Sequence, residues 1–125
     1  EEEKEQIYNL ATESTSSKLR LLHQFTFCIS EPDQVSRFSF LYNLLLQLMG
    51  DSQARVDEVI KKAEPSVPIF PSPYRRHIEE TLYTRLRNEL AHKREGAQYS
   101  LTKSRIHEVV DNFTQIVKES ILKFG

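Results

Sequence analysis

The chain has 125 residues, enough for one domain with its own core and no metal or disulfide staple. A single cysteine, Cys28, excludes an intrachain disulfide and a cysteine-based zinc site, and points to a reducing, cytoplasmic setting. The formal net charge of −1 argues against a generic polyanion binder, and no apolar run approaches the ~18 residues of a membrane span.

The first element is a helix from about Glu3 to Ser30, with Ile7, Leu10, Leu19, Leu22, Phe25 and Ile29 turned inward. Its start at "EEEKEQ", without a methionine, is compatible with a domain cut from a longer protein. Within it "TESTSS" (Thr12–Ser17) is a weak helix former and a candidate break. "SEPD" (Ser30–Asp33) is a turn and N-cap signal, with Pro32 in the first turn of the next helix. That helix, Val35–Met49, is apolar on nearly every face. It must be covered on more than one side, as the centre of a bundle or as part of an oligomer interface.

Gly50 ends it, and "DSQARVDEVIKKAE" starts on an Asp/Ser cap. This gives a shorter amphipathic helix with Val56, Val59 and Ile60 inward and Asp57 and Glu58 on its solvent face. "PSVPIFPSP" (Pro65–Pro73) is a stiff extended connector. A helix from about Tyr74 to Lys93 follows, with a stop region near Gly96. A loop reaches Leu101, and Thr102 or Ser104 caps a last helix whose stripe runs from Ile106 to Phe124. Strand-like alternation is absent, so the pattern is all-α, in a single domain over residues 1–125.

Charge is unevenly spread. Residues 1–74 hold seven Lys/Arg against eleven Asp/Glu, residues 75–105 eight against four, and the last twenty two against three. A polyanion is drawn first to the middle segment; a solvated helix with ordinary surface charge gives the same pattern. On the 74–93 helix, Ile78, Leu82, Leu86 and Leu90 form the inward stripe at ~100° per residue. His77, Glu80, Thr84 and Asn88 lie on a separate polar face, flanked by Arg87 and His92 about 140° apart. That face is not needed to bury the helix.

The set Arg87, Asn88 and His92 suits RNA cleavage. A ribose 2′-hydroxyl attacks its own phosphate once a base removes its proton, and histidine does this near neutral pH. Arginine offers a forked donor array to the developing phosphorane charge, and asparagine can hold the phosphate or orient the imidazole. This route needs no metal and no cofactor. One histidine cannot be base and acid at once, whereas two copies on a two-fold axis supply both. The alternative for the same residues is structural: Arg87 pairs with Glu80 or another carboxylate, and His92 caps carbonyls at the helix end.

Other candidates divide similarly. "YRRH" (Tyr74–His77) holds phosphate through Arg75, Arg76 and His77, or is a solvated helix start. Tyr83 stacks a base or fills the core edge. Cys28, among Phe25, Phe27 and Ile29, is a buried apolar thiol, and His23 and His107 have no metal-ligand spacing.

"RNELAH" (Arg87–His92) resembles the Arg-x(4–6)-His signature of the HEPN superfamily, including the polar residue after the Arg that many members carry. The order "RFSFLYNLLLQLMGDSQARVDEVI", Pro-rich connector, "ETLYTRLRNELAHKREG" and final amphipathic helix is similar to HEPN domains linked with methylamine-utilisation and phage-defence proteins. The resemblance covers roughly Leu19 to Phe124. It implies an up-and-down bundle of four main helices plus a shorter one, dimerising so that two Arg/His motifs face each other. It further implies a metal-independent endoribonuclease of toxin–antitoxin, abortive-infection or CRISPR-associated type. Arg87 and His92 take the catalytic roles and Asn88 the supporting one. RNA, a second copy of the chain and an antitoxin or other protein are the implied partners. Lys93 and Arg94 join Arg75, Arg76 and His77 as expected RNA contacts, and Thr84 is added to them from helix geometry alone, since it is not a signature residue. One departure is Arg94, where a toxin subgroup carries a tyrosine modified by a partner nucleotidyltransferase. Members of the superfamily also serve as non-catalytic interaction or dimerisation modules, which is the alternative function.

Overall fold

A computed structural model describes residues 2–73, 75–91 and 98–125, with the side chains of the first helix from residue 16 onward. The elements are α1 (Glu2–Ile29), α2 (Gln34–Leu48), α3 (Gln53–Ala63), β1 (Ile69–Pro71), β2 (Glu79–Thr81), α4 (Leu82–Ala91) and α5 (Tyr99–Phe124). The fold is mostly helical, five helices packed on one another, with a small two-stranded hairpin. Among the described residues no helix is long and apolar enough to cross a membrane.

α1 runs unbroken through Thr12–Ser17. Each Ser or Thr there costs only a few tenths of a kcal/mol relative to good helix formers, less than propagation of an already nucleated helix recovers, roughly. Its inward face is narrower than the sequence suggests: Phe25 and Cys28 are buried and Leu21 and Leu22 lean on the core. Leu19 and Ile29, expected inward, are exposed. Ile7 and Leu10 lie outside the described side chains. The Lys18 Nζ donates to the Leu122 carbonyl at 3.2 Å, placing a cation beside the C-terminal end of α5, where the helix dipole favours it.

Asp33 caps α2: its Oδ2 accepts from the Ser36 backbone N–H at 2.9 Å and the Ser36 hydroxyl at 2.7 Å. These bonds hold the Asp33 carboxyl below the usual carboxylate range. Pro32 therefore precedes the cap rather than entering the first turn. α2 is the centre of the bundle, packed against α1, α3 and α5, with Phe38, Leu41, Tyr42, Leu44 and Leu45 buried. Phe40 faces out and, with the 74 % exposed Phe27, borders a shallow hollow of about 270 Å³ between α1 and α2. The turn into α3 uses two left-handed residues in succession, Gly50 (φ 69°) and Asp51 (φ 61°). Glycine adopts this without a Cβ penalty, and Asp is among the few other residues that tolerate it. Ser52 then caps α3 through the Arg55 N–H.

The helix expected from about Tyr74 is absent over residues 75–81 and begins at Leu82; Tyr74 itself lies outside the described residues. The proline-rich connector, expected to be extended throughout, opens with a turn at Pro65–Ser66 closed by the Val67 N–H on the Glu64 carbonyl; its stretch Ile69–Pro71 is extended and pairs with Glu79–Thr81 in antiparallel register, Ile69 opposite Thr81 and Phe70 opposite Glu80. The Leu82 N–H donates to the Pro68 carbonyl at 2.9 Å, and the Ser72 N–H to the Ile78 carbonyl at 2.8 Å. His77, at φ 62°, turns the chain in a conformation that a helix excludes. Ile78, the first member of the expected stripe, is exposed in this turn. α5 also starts earlier than expected, at Tyr99, with no side-chain cap at Gln98. Thr102 is buried inside it because its hydroxyl donates to Glu89 at 2.7 Å instead of capping.

Phe113 on α5 joins the helices. Its ring centroid lies 5.1 Å from Phe38, 6.1 Å from Tyr42 and 4.9 Å from Tyr83, so α2, α4 and α5 meet at one aromatic cluster. Phe113→Ala should lower unfolding stability by about 3–5 kcal/mol. Phe27→Ala, on the exposed face of α1, should stay within about 0.5 kcal/mol of wild type. Urea unfolding followed by circular dichroism checks both, and equal losses would place the core elsewhere.

Candidate functional site

The site is built around the start of α4. Thr81 immediately precedes the helix and accepts from the Thr84 N–H at 3.4 Å, a cap contact. Asp57 of α3 completes this start from outside. Its Oδ1 accepts from the Thr81 backbone N–H at 3.2 Å, the Thr81 hydroxyl at 2.7 Å and the Thr84 hydroxyl at 2.6 Å. A negative group at a helix N-terminus is favoured by the dipole, and here it also has three donors. Since Thr84 gives its one hydroxyl proton to Asp57, the 2.8 Å contact with Tyr42 has the tyrosine donating.

Asp57, expected on a solvent face, is thus buried, at 5 % exposure. Thr84, expected to touch RNA, is fully buried and engaged by Asp57 and Tyr42. The physical reason is mutual: each polar group is the partner that lets the other leave water.

The next turn of α4 continues inward. Asn88 is 5 % exposed and Glu80 1 % exposed. The Asn88 Nδ2 donates to Glu80 Oε2 at 3.3 Å and to Gln53 Oε1 at 3.2 Å. Its Oδ1 accepts from Arg87 Nη1 at 3.2 Å. The expected separation of a Leu stripe from a solvated polar face therefore fails. Leu86 is buried, Leu82 and Leu90 are half-buried, and the polar face of Thr84 and Asn88 is core. α4 packs on α5, and its polar residues Thr84 and Asn88 are met by Tyr42 of α2 and by Asp57 and Gln53 of α3.

Arg87 is half-buried, its Cζ 5.3 Å from the centre of the Tyr42 ring. One arm of the guanidinium fork is engaged by Asn88; among the described residues no other hydrogen bond or ion pair takes the rest. A cation stacked on an aromatic face and fixed at one arm is well suited to an anion. Among the described residues Arg87 is held by Asn88 and the Tyr42 ring, with no ion pair to a carboxylate. His92, Lys93 and Arg94 lie outside the described residues. Arg75, Arg76 and His77 are exposed on the hairpin turn rather than on the helix.

The outer side of α4 is pinned separately. Arg85 pairs with Glu89 at 3.1 Å and stacks its guanidinium 4.3 Å from the Phe70 ring of β1. Tyr83 is core, not a base-stacking platform: its hydroxyl donates to Glu64 at 3.1 Å and accepts from Asn112 at 2.8 Å. Burial raises the Tyr83 hydroxyl to about 12, against the Asn112 hydrogen bond and with help from Glu64. Burial raises the Tyr42 hydroxyl further still. Cys28 is buried as expected, and its thiol is raised by desolvation.

The structure thus brings Arg87 and Asn88 together and adds Tyr42, Gln53 and Asp57, which the sequence did not single out for this site. Thr81 immediately ahead of Leu82 is an N-cap signal, but no local signal links it to Asp57. Gln53 has no such signal either. Among the described residues no group of three or more His, Cys, Asp or Glu is placed to hold a metal ion. No family model, no curated protein and no solved structure matches this chain.

Asp57→Ala leaves three buried donors unmatched and should destabilise by about 3 kcal/mol or more, whereas Glu58→Ala on the exposed face should be near neutral. Thermal melts of the two variants decide this; similar Tm values would remove Asp57 from its central place. The tyrosines give a pH signature. In the folded chain both stay protonated above ~10, where an unfolded tyrosine ionises, so the unfolded state releases protons first. Stability is full below that pH and falls as pH rises toward 12. Tyr83→Phe should flatten this alkaline slope of urea-derived stability, and an unchanged slope would assign it to other groups.

Proposed function

We propose that the chain is a HEPN-type, metal-independent endoribonuclease that cuts RNA by 2′-hydroxyl attack at a site composed from two copies. Arg87 and His92 are the catalytic pair and Asn88 the supporting residue. The observation that carries this reading is the setting of Arg87. It is fixed by Asn88 and the Tyr42 ring at the edge of the core, inside the segment with eight Lys/Arg against four Asp/Glu. A cation already in place needs no reorganisation when charge develops on a phosphorane. His92 follows at the Arg-x4-His spacing and supplies base and acid from two copies. Arg75, Arg76 and His77 on the exposed turn, with Lys93 and Arg94, are the proposed contacts to the phosphate backbone.

A second reading, a non-catalytic interaction or dimerisation module, is favoured by one observation: Asn88 and Glu80 are buried and bonded into the fold, so this part of the motif has a structural use. Cleavage decides between the two. In the presence of EDTA the wild type should cut single-stranded RNA and leave 2′,3′-cyclic phosphate ends. His92→Ala and Arg87→Ala should each lower the rate about 100-fold or more. Light scattering should give the mass of a dimer. Cleavage by His92→Ala at the wild-type rate, or abolished by chelator and restored by magnesium, would sink the mechanism; a stable dimer without cleavage would favour the module.

A further inference from the structure

We infer that Glu80 and Gln53 are positioning residues for Arg87, acting through Asn88. The consequence for RNA rests on the nuclease reading above; the consequence for the arginine does not. A side-chain amide has one accepting and one donating end, and a carboxylate accepts. The Asn88 Nδ2 faces two oxygens, Glu80 Oε2 at 3.3 Å and Gln53 Oε1 at 3.2 Å, and this turns Oδ1 toward Arg87 Nη1 at 3.2 Å. Rotating the amide by half a turn sets oxygen against the Glu80 carboxylate and N–H against the guanidinium N–H, two repulsions at once. Gln53 alone does not fix this choice, because its own amide can rotate to match; the carboxylate does. Gln53 adds reach and direction, since it is the first residue of α3, directly after the Ser52 cap.

The second support of the guanidinium leads back to the same helix. Tyr42, under Arg87, donates to Thr84, and Thr84 donates to Asp57 of α3. Gln53 and Asp57 are four residues apart, on one face of α3. One helix face therefore governs both contacts that hold Arg87, the amide at its arm and the ring at its plane. Arg87 is the group that meets the phosphate, and Glu80 and Gln53 act through it.

The test is a double-mutant cycle read by fluorescence anisotropy of a labelled single-stranded oligoribonucleotide. Glu80→Gln, Gln53→Ala and Arg87→Ala are measured singly, and each of the first two also in the Arg87→Ala background. Glu80→Gln and Gln53→Ala should each weaken binding by roughly tenfold alone and have almost no further effect once Arg87 is absent. Additive losses would overturn the positioning role, because they would arise without Arg87. Gln53 is half-buried at a helix start, so Gln53→Ala carries the cycle if Glu80→Gln does not fold. A second readout needs no RNA. In nitrogen-15 spectra the restrained Arg87 guanidinium should show slow rotation and resolved terminal nitrogens, collapsing to one averaged signal in Gln53→Ala and Glu80→Gln. A wild type that binds no RNA yet shows this collapse defeats the nuclease reading and upholds the bracket. An Arg87 signal equally averaged, or equally resolved, in all three proteins overturns the bracket.

Discussion

The placement of α4 depends on one carboxylate. Asp57 projects from α3 and binds the residue before α4 and a residue in its first turn; through Thr84 it reaches Tyr42 on α2. Four elements are thereby set against one another by an oxygen that lies in the interior. The aromatic cluster at Phe113 joins α2, α4 and α5 by burial, but burial is non-directional and nearly indifferent to small rotations of a helix. The hydrogen bonds are not. Each adds only about 1 kcal/mol net, while breaking one leaves a desolvated group costing more than it contributed. Apolar packing thus decides that the chain folds, and the Asp57 group decides the rotation of α4 about its axis.

That rotation explains what could be read from the sequence and what could not. The central position of α2, the buried Cys28, the Asp33 and Ser52 caps and the α5 stripe from Ile106 to Ile121 were all legible, because each depends on residues a few places apart; Phe124, expected in that stripe, is exposed. The buried polar face was not. Thr84 and Asn88 on one helix and Asp57 on another each look solvent-bound when considered alone. The two misreadings are one: polar residues in separate segments cancel each other's desolvation, and local periodicity carries no term for a partner twenty-four or more residues away. The hairpin failed to register for a related reason. Three-residue strands are too short for an alternation, and the pairing partner of Glu79–Thr81 sits in a stretch that prolines had already marked as connector. Thr102 carried a true capping signal whose hydroxyl Glu89 takes first.

Arg87 and Asn88 show how closely the candidate site and the fold are joined. Asn88 belongs to both, buried by one end of its amide and offering the other to the guanidinium. A residue of this kind is constrained twice, and its replacement alters shape and chemistry together. Arg87 lies at the boundary, in contact with the core through Tyr42 and half in solvent. An arginine so placed behaves less like a mobile surface cation and more like a fixed electrode, with a position inherited from the interior.

The hairpin has a consequence of its own. Its stem is secured at both ends: at the base the ladder joins Ile69 to Thr81, the Leu82 N–H reaches Pro68 and Thr81 is fixed to Asp57, and at the turn the Ser72 N–H donates to the Ile78 carbonyl. The turn beyond the stem, carrying Arg75, Arg76 and His77, is exposed. Changes in its length or charge are mechanically insulated from α4, because the stem takes up the displacement before it reaches the helix. The charge carried by the turn and the geometry around Arg87 are thus set by separate parts of the chain, and a change in one leaves the other in place.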